Sequence, residues 1–165
     1  MTTKFKGNAV QLDGTLIAKG NTAPQISLVK NDLSSFTLDD CKGKRVIMNI
    51  FPSIDTGVCA TSVRKFNQLA ASLPDTIVLC ISRDLPFAQG RFCAAEGIEN
   101  VVVLSDFRRT STFGTDYGLQ MADGPLAGLL ARAVVVVAPD GKVSHVEVVP
   151  EITTEPDYEG ALKAV

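Results

Sequence analysis

No stretch of the 165 residues reaches the roughly 18–20 consecutive apolar side chains that a membrane-spanning helix requires. Lysine and arginine are scattered, with no basic run longer than a pair such as Arg108-Arg109, and the formal net charge is −2. Neither nucleic acid nor an anionic membrane is therefore an expected partner. There is one histidine, and the four cysteines form no C-x-x-C pair, which argues against a zinc site. The opening residues, Met1-Thr2-Thr3-Lys4-Phe5-Lys6-Gly7-Asn8, lack an apolar core and a small-residue cleavage site. No secretory signal is expected, and the chain reads as cytoplasmic. In that compartment cysteines are not a structural disulfide framework; a disulfide there is more often transient and catalytic or redox-sensing.

Hydrophobic residues make up 45% of the chain and charged residues 21%, ordinary values for a globular domain, and the length suits one domain over residues 1–165. Asp13-Gly14 between Val10-Gln11-Leu12 and Thr15-Leu16-Ile17 predicts an N-terminal β-hairpin. Short strands are expected at 26–29 and 35–38, and a buried central strand at 45–51. Between Ala60 and Leu73 the apolar positions Val63, Phe66, Leu69 and Ala70 recur at helical spacing, and Pro74 stops the run. A second buried strand, Thr76 to Ile81, leads to a helix opened by Pro86 and closed near Gly97. After a strand at 101–104 and a brief helix at 111–117, Arg132 to Ala138 turns at Pro139-Asp140-Gly141 into Val143 to Val149. A last helix starts at Pro156. Strand and helix alternate, then a hairpin and a helix close the chain. This order predicts an α/β, thioredoxin-like fold with a central mixed sheet flanked by helices.

The chemistry concentrates at Phe51-Pro52-Ser53-Ile54-Asp55-Thr56-Gly57-Val58-Cys59. An apolar strand ends at a turn, and a helix begins, so the Cys59 thiol falls at a helix N-terminus, where unpaired N–H groups and the helix dipole favour an anion. The thiolate is the nucleophile, so such a position can activate a cysteine. The bland alternative is a small core residue. Thr56 can offer its hydroxyl to the sulfur or to an oxygen bound beside it, and Pro52 fixes the strand exit without an N–H of its own.

Cys93, on the helix opened by Pro86, is either one more small residue or a second thiol able to condense with an oxidised Cys59. Cys80, between Val78-Leu79 and Ile81, reads as core. Cys41, between Asp40 and Lys42, reads as an incidental cysteine on a surface loop. A reactive thiolate also wants a cation. Arg132, at the start of an apolar strand, is the best candidate, although a solvent-facing strand end is the plainer reading of its position; Arg64 is a second. His145 alternates with valines in the last hairpin and is expected on its polar face, so a Cys–His hydrolase is a remote third reading.

Taken together, these residues closely resemble the thiol peroxidase branch of the peroxiredoxins, the atypical two-cysteine type. Pro52-x-x-x-Thr56-x-x-Cys59 is similar to the general active-site motif of that family. Several runs resemble this branch in particular: Phe51 through Asn67, Leu85-Pro86-Phe87-Ala88-Gln89 leading to Arg91-Phe92-Cys93, Ala122-Asp123-Gly124-Pro125-Leu126, and Glu151-Ile152-Thr153-Thr154-Glu155-Pro156-Asp157-Tyr158. The resemblance covers essentially the whole chain. It implies that Cys59 is the peroxidatic cysteine, with Pro52, Thr56 and Arg132 completing its pocket. It further implies that Cys93 resolves it through an intrachain Cys59–Cys93 disulfide and that thioredoxin is the reductant. A homodimer, hydroperoxide substrates and no metal or organic cofactor are also implied. If the reduced protein holds the two thiols apart, part of a helix must unwind between half-reactions. A redox sensor using the same two thiols without turnover, and a purely structural thioredoxin-fold module, are the competing classes.

Overall fold

Two sheets organise the chain, which the computed structural model describes over residues 1–165. The larger is built on β5 (Arg45–Ile50), whose sequence Arg-Val-Ile-Met-Asn-Ile is buried from Val46 onward on both faces. A strand covered on both sides reads as a continuous apolar run rather than an alternating one. It pairs in parallel with β6 (Thr76–Ser82) and antiparallel with β9 (Ala133–Val137). Outward from these lie β7 (Val102–Ser105), β3 (Leu28–Val29) and β4 (Ser35–Phe36) on one side and β10 (Val143–Val148) on the other. The spatial order is β10-β9-β5-β6-β7-β3-β4. Alternation along β5 sorts the core. Val46, Met48 and Ile50 join the largest apolar cluster, while Ile47 meets Phe66, Val78, Val134, Val136 and Tyr158 on the opposite face.

Helix α1 (Gly57–Ala70) starts at Thr56, whose extended backbone (φ −105°, ψ 146°) is that of an N-cap, and buries Cys59, Val63 and Phe66. Full burial of Phe66 contributes about 2–3 kcal/mol relative to an exposed ring, and truncation to alanine would cost about 3–5 kcal/mol. Helix α2 (Pro86–Glu96) opens on Pro86 and ends at Gly97 in the left-handed region (φ 64°), as the sequence predicts. The chain continues through α3 (Phe113–Asp116), β8 (Gln120–Met121) and finally α4 (Tyr158–Leu162). The mixed sheet flanked by helices is the thioredoxin-like arrangement expected from the sequence. No helix is long and apolar enough to cross a membrane.

The N-terminal hairpin exists, with different strands from those expected. It joins β1 (Thr2–Phe5) to β2 (Asn8–Asp13) and turns at Lys6-Gly7, both at positive φ. β2 then pairs with β8, giving a small sheet of order β1-β2-β8. Asp13-Gly14 ends β2 instead of turning it. Gly14 sits at φ +82°, and a Cβ there would lie 2.2 Å from the Thr115 carbonyl oxygen, so close approach to α3, not hairpin chemistry, requires the glycine. Ile17 is drawn into the core, its N–H donating to the Tyr117 carbonyl, and cannot pair back onto β2.

Cys41 is also placed differently from the expectation. It closes a single 3-10 turn, Leu38–Cys41, and is buried at 3% exposure in the main core cluster. Its acidic neighbours are polar because they face out: the Asp40 carboxylate accepts from the Thr37 N–H at 2.8 Å as part of a capping box.

Candidate active site

The carboxyl end of β5 runs into the loop 51–56 and then into α1, so Cys59 occupies the third position of the helix. The N–H groups of Gly57, Val58 and Cys59 precede the first intrahelical hydrogen bond, from the Ala60 N–H to the Thr56 carbonyl at 2.9 Å. The sulfur is wholly buried, packed with Phe51, Ile54, Val63, Cys80, Ile98 and Val103. One charged group reaches it. Arg132, only 2% exposed, donates from Nη2 to Cys59 Sγ at 3.2 Å. Its Nε donates to the Ile152 carbonyl at 2.8 Å, which fixes the plane of the guanidinium. Its Nη1 is buried with no hydrogen-bond partner. A buried, unpaired guanidinium N–H is costly unless something is meant to accept from it.

Arg132 and the loop open onto a cleft of about 320 Å³. Pro52, Ser53, Thr56, Gly57 and Thr153 line it together with the apolar side chains of Phe5, Val58, Leu126, Leu129 and Ile152. The structure thus gathers Cys59, Arg132, Pro52 and Thr56 at one place. The Thr56 hydroxyl, however, donates to the Ser53 carbonyl at 3.1 Å and not to the sulfur, so in this state it braces the loop. Arg64, the other cation considered from the sequence, does not face Cys59. It forms a two-pronged ion pair with Glu96 (2.8 and 3.0 Å) and lies over the Phe92 ring.

Cys93 lies elsewhere, on α2, half-buried, packed with Phe92 against the cluster that contains Cys59. Burial raises its pKa, an effect partly offset by a hydrogen bond with the Asn31 side chain. No disulfide joins any of the four cysteines. Cys80 is core, as expected, and burial pushes its pKa up to about 12. Burial pushes Cys41 up to about 11. His145 is not on an open polar face: its Nε2 is buried without a partner, and its ring lies against Gly160 of α4, away from the residues lining the cleft.

Sequence reasoning missed the groups that set Arg132. Glu151 accepts from the N–H groups of Lys6 (3.1 Å), Gly7 (2.9 Å) and Thr153 (3.2 Å). Those bonds hold its pKa at about 2 and tie the hairpin turn to the segment carrying the Ile152 carbonyl. The run Glu151-Ile152-Thr153 was visible as a motif, but its partner, the turn at Lys6-Gly7, lies 144 or more residues away in sequence.

Comparison with known proteins agrees with this geometry. The Redoxin family model matches residues 18–162. The thiol peroxidase of Corynebacterium glutamicum is 55% identical over 163 residues, covering 99% of this chain and 98% of that protein. The thiol peroxidase of Mycobacterium tuberculosis is 56% identical over 161 residues, covering 98% and 96%. Among solved structures, a peroxiredoxin-like protein from Aquifex aeolicus superposes with a TM-score of 0.92 at 41% identity, covering 99% of this chain and 95% of the other. With a helix-start cysteine held by a buried arginine and relatives of this closeness, the chain belongs to the redoxin family and, within it, to the thiol peroxidases, an oxidoreductase group.

Proposed function

We propose that the protein reduces hydrogen peroxide and organic hydroperoxides to water and alcohols, working as a single domain over residues 1–165 in the cytoplasm. The observation that carries this reading is the spare Nη1 donor of Arg132, a residue that bonds Cys59 Sγ through its other terminal nitrogen and lines an apolar cleft. The Cys59 thiolate attacks the terminal oxygen of ROOH and the O–O bond breaks. Cys59 becomes a sulfenic acid and RO⁻ leaves, taking a proton to become ROH. Arg132 and the N–H groups of the first turn stabilise the charge as it moves from sulfur to oxygen, a preorganised arrangement that needs no metal. The apolar wall of Phe5, Leu126, Leu129 and Ile152 suits an alkyl group R. Cys93 then attacks the Cys59 sulfur, forming an intrachain disulfide and releasing water. A dithiol protein of the thioredoxin type returns both thiols with two electrons, and the protein works as a homodimer.

Peroxide-dependent NADPH oxidation through thioredoxin and its reductase tests this reading. Wild type turns over; Cys59→Ser is inactive; Cys93→Ser reacts once with peroxide and loses thioredoxin-driven turnover. Normal turnover by Cys93→Ser would remove Cys93 from the mechanism. An active Cys59→Ser would overturn the reading as a whole.

A further inference from the structure

The loop that delivers Cys59 and the helix that carries Cys93 meet at one carboxylate. Asp84 lies half-buried between β6 and α2. Its Oδ1 accepts from Ser53 Oγ at 2.7 Å, and its Oδ2 accepts from the Ile54 N–H at 2.7 Å and from Ser82 Oγ at 2.6 Å. Ser53 and Ile54 belong to the loop that ends at Cys59. Ser82 Oγ in turn accepts from Nε2 of Gln89, a wholly buried residue of α2 one turn ahead of Cys93. The same Nε2 donates to the Leu104 carbonyl at 2.9 Å. Short bonds to an ionised acceptor are the strong ones, and a carboxylate with three donors in a partly dry site defines their geometry closely.

We infer that Asp84 is a positioning residue: its carboxylate holds the 53–54 loop in the shape that presents Cys59 to peroxide and ties that loop, through Ser82 and Gln89, to the Cys93 helix. Asp84 does not line the cleft and touches neither Cys59 nor Arg132. Its influence runs through the loop backbone. The two chemical steps ask different things of that loop. Attack on peroxide needs it held; a Cys59–Cys93 bond needs Cα atoms roughly 4.4–6.8 Å apart, a condition on the spacing of two helices and not on the shape of the 53–54 loop. Removing the carboxylate should slow the first step and spare the second, a split that general loss of stability would not produce. The inference rests on the peroxidase reading given above.

The test separates the two steps. In a Cys93→Ser background, sulfenic acid formed at Cys59 by cumene hydroperoxide is trapped with dimedone over time and measured by mass. Asp84→Ala should slow it on the order of 10–100-fold, the scale of a small misplacement of a reacting group. Asp84→Asn, whose amide oxygen can still accept from the Ile54 N–H, should recover most of that loss. In the protein that retains Cys93, the disulfide step at saturating peroxide should be no slower in Asp84→Ala than in wild type. Ser53→Ala, which removes one of the three donors, gives a partial slowing of oxidation and serves if Asp84→Ala does not fold. Unchanged oxidation in Asp84→Ala, or in Ser53→Ala should it be needed, or an equal fall in both steps, overturns the role of Asp84 alone. No sulfenic acid even with Asp84 intact would instead overturn the peroxidase reading, and this inference with it.

Discussion

Cys59 and Cys80 are both wholly buried and belong to the same apolar cluster, yet their sulfurs sit in opposite chemical surroundings. Cys80, in the middle of β6, meets only a weak contact from the Asn49 side-chain amide at 3.7 Å. With nothing charged to compensate for burial, its pKa rises to about 12 and it stays a thiol. Cys59 meets a guanidinium at 3.2 Å and sits in a helix first turn. Burial alone therefore does not decide whether a cysteine is inert. The group touching the sulfur matters as well, and in the function proposed above the one arginine at Cys59 separates a nucleophile from a filler.

The comparison breaks most sharply if Arg132 is removed. Arg132→Met keeps the length and apolar stem of the side chain but withdraws the donors to Cys59, to the Ile152 carbonyl and to bound peroxide. By analogy with loss of a preorganised charge-stabilising donor, the rate of Cys59 oxidation should fall roughly 10²–10³-fold. Stopped-flow mixing of reduced protein with hydroperoxide measures it. A fall of less than tenfold would mean that the helix terminus alone activates the sulfur. Arg132→Lys keeps the charge without the fork and should fall in between.

A second way to sharpen the contrast uses pH and the third thiol. Cys93 has a raised pKa, chiefly from burial, so it is a thiol at neutral pH. Attack on the oxidised Cys59 requires the thiolate, so the disulfide step should quicken with rising pH, by about tenfold per unit well below the pKa. The position of the plateau reports where Cys93 titrates. A rise that continues past pH 9 means it ionises while still packed on α2. A plateau near the ordinary value of about 8.5 means the helix has loosened first. Rapid-quench assay of disulfide at pH 6 to 10 distinguishes the two.

Much of this contrast was legible in the sequence, because local signals carried it. The apolar run at 45–51, the Pro-Gly turn before Cys59, and Pro86 with Gly97 around α2 are patterns read over a few residues, and the elements fall within a few residues of where they predict. Cys80 in its apolar strand was equally plain. The remainder depended on contacts distant in sequence. Arg132 and Cys59 are 73 residues apart, and nothing local says that the arginine turns inward. Cys41 looked like a surface residue because Asp39, Asp40 and Lys42 surround it, yet one side of a 3-10 turn can be buried while the others are charged. Asp13-Gly14 carried a strong hairpin signal, overridden by contact with α3 and by burial of Ile17.

The smallest effect falls on Cys80 itself. Cys80→Ala deletes one sulfur atom from a fully packed site and leaves Asn49 still donating to Ser62 Oγ at 3.2 Å. The loss resembles deletion of a single buried methylene, about 1 kcal/mol of stability, which in a chain of this size lowers Tm by about 2–4 °C. Peroxidase turnover should stay within about twofold of wild type. The alkaline limb should change with it. A thiol whose folded pKa lies above its unfolded value stabilises the fold fully below the unfolded pKa, and that contribution is lost as pH rises from about 9 toward 12. Denaturant midpoints measured across that window should therefore decline less steeply in Cys80→Ala than in wild type. If turnover fell more than tenfold while Tm moved only a few degrees, Cys80 would be taking part in the redox cycle, and the division between an activated sulfur and an inert one would have to be redrawn around both.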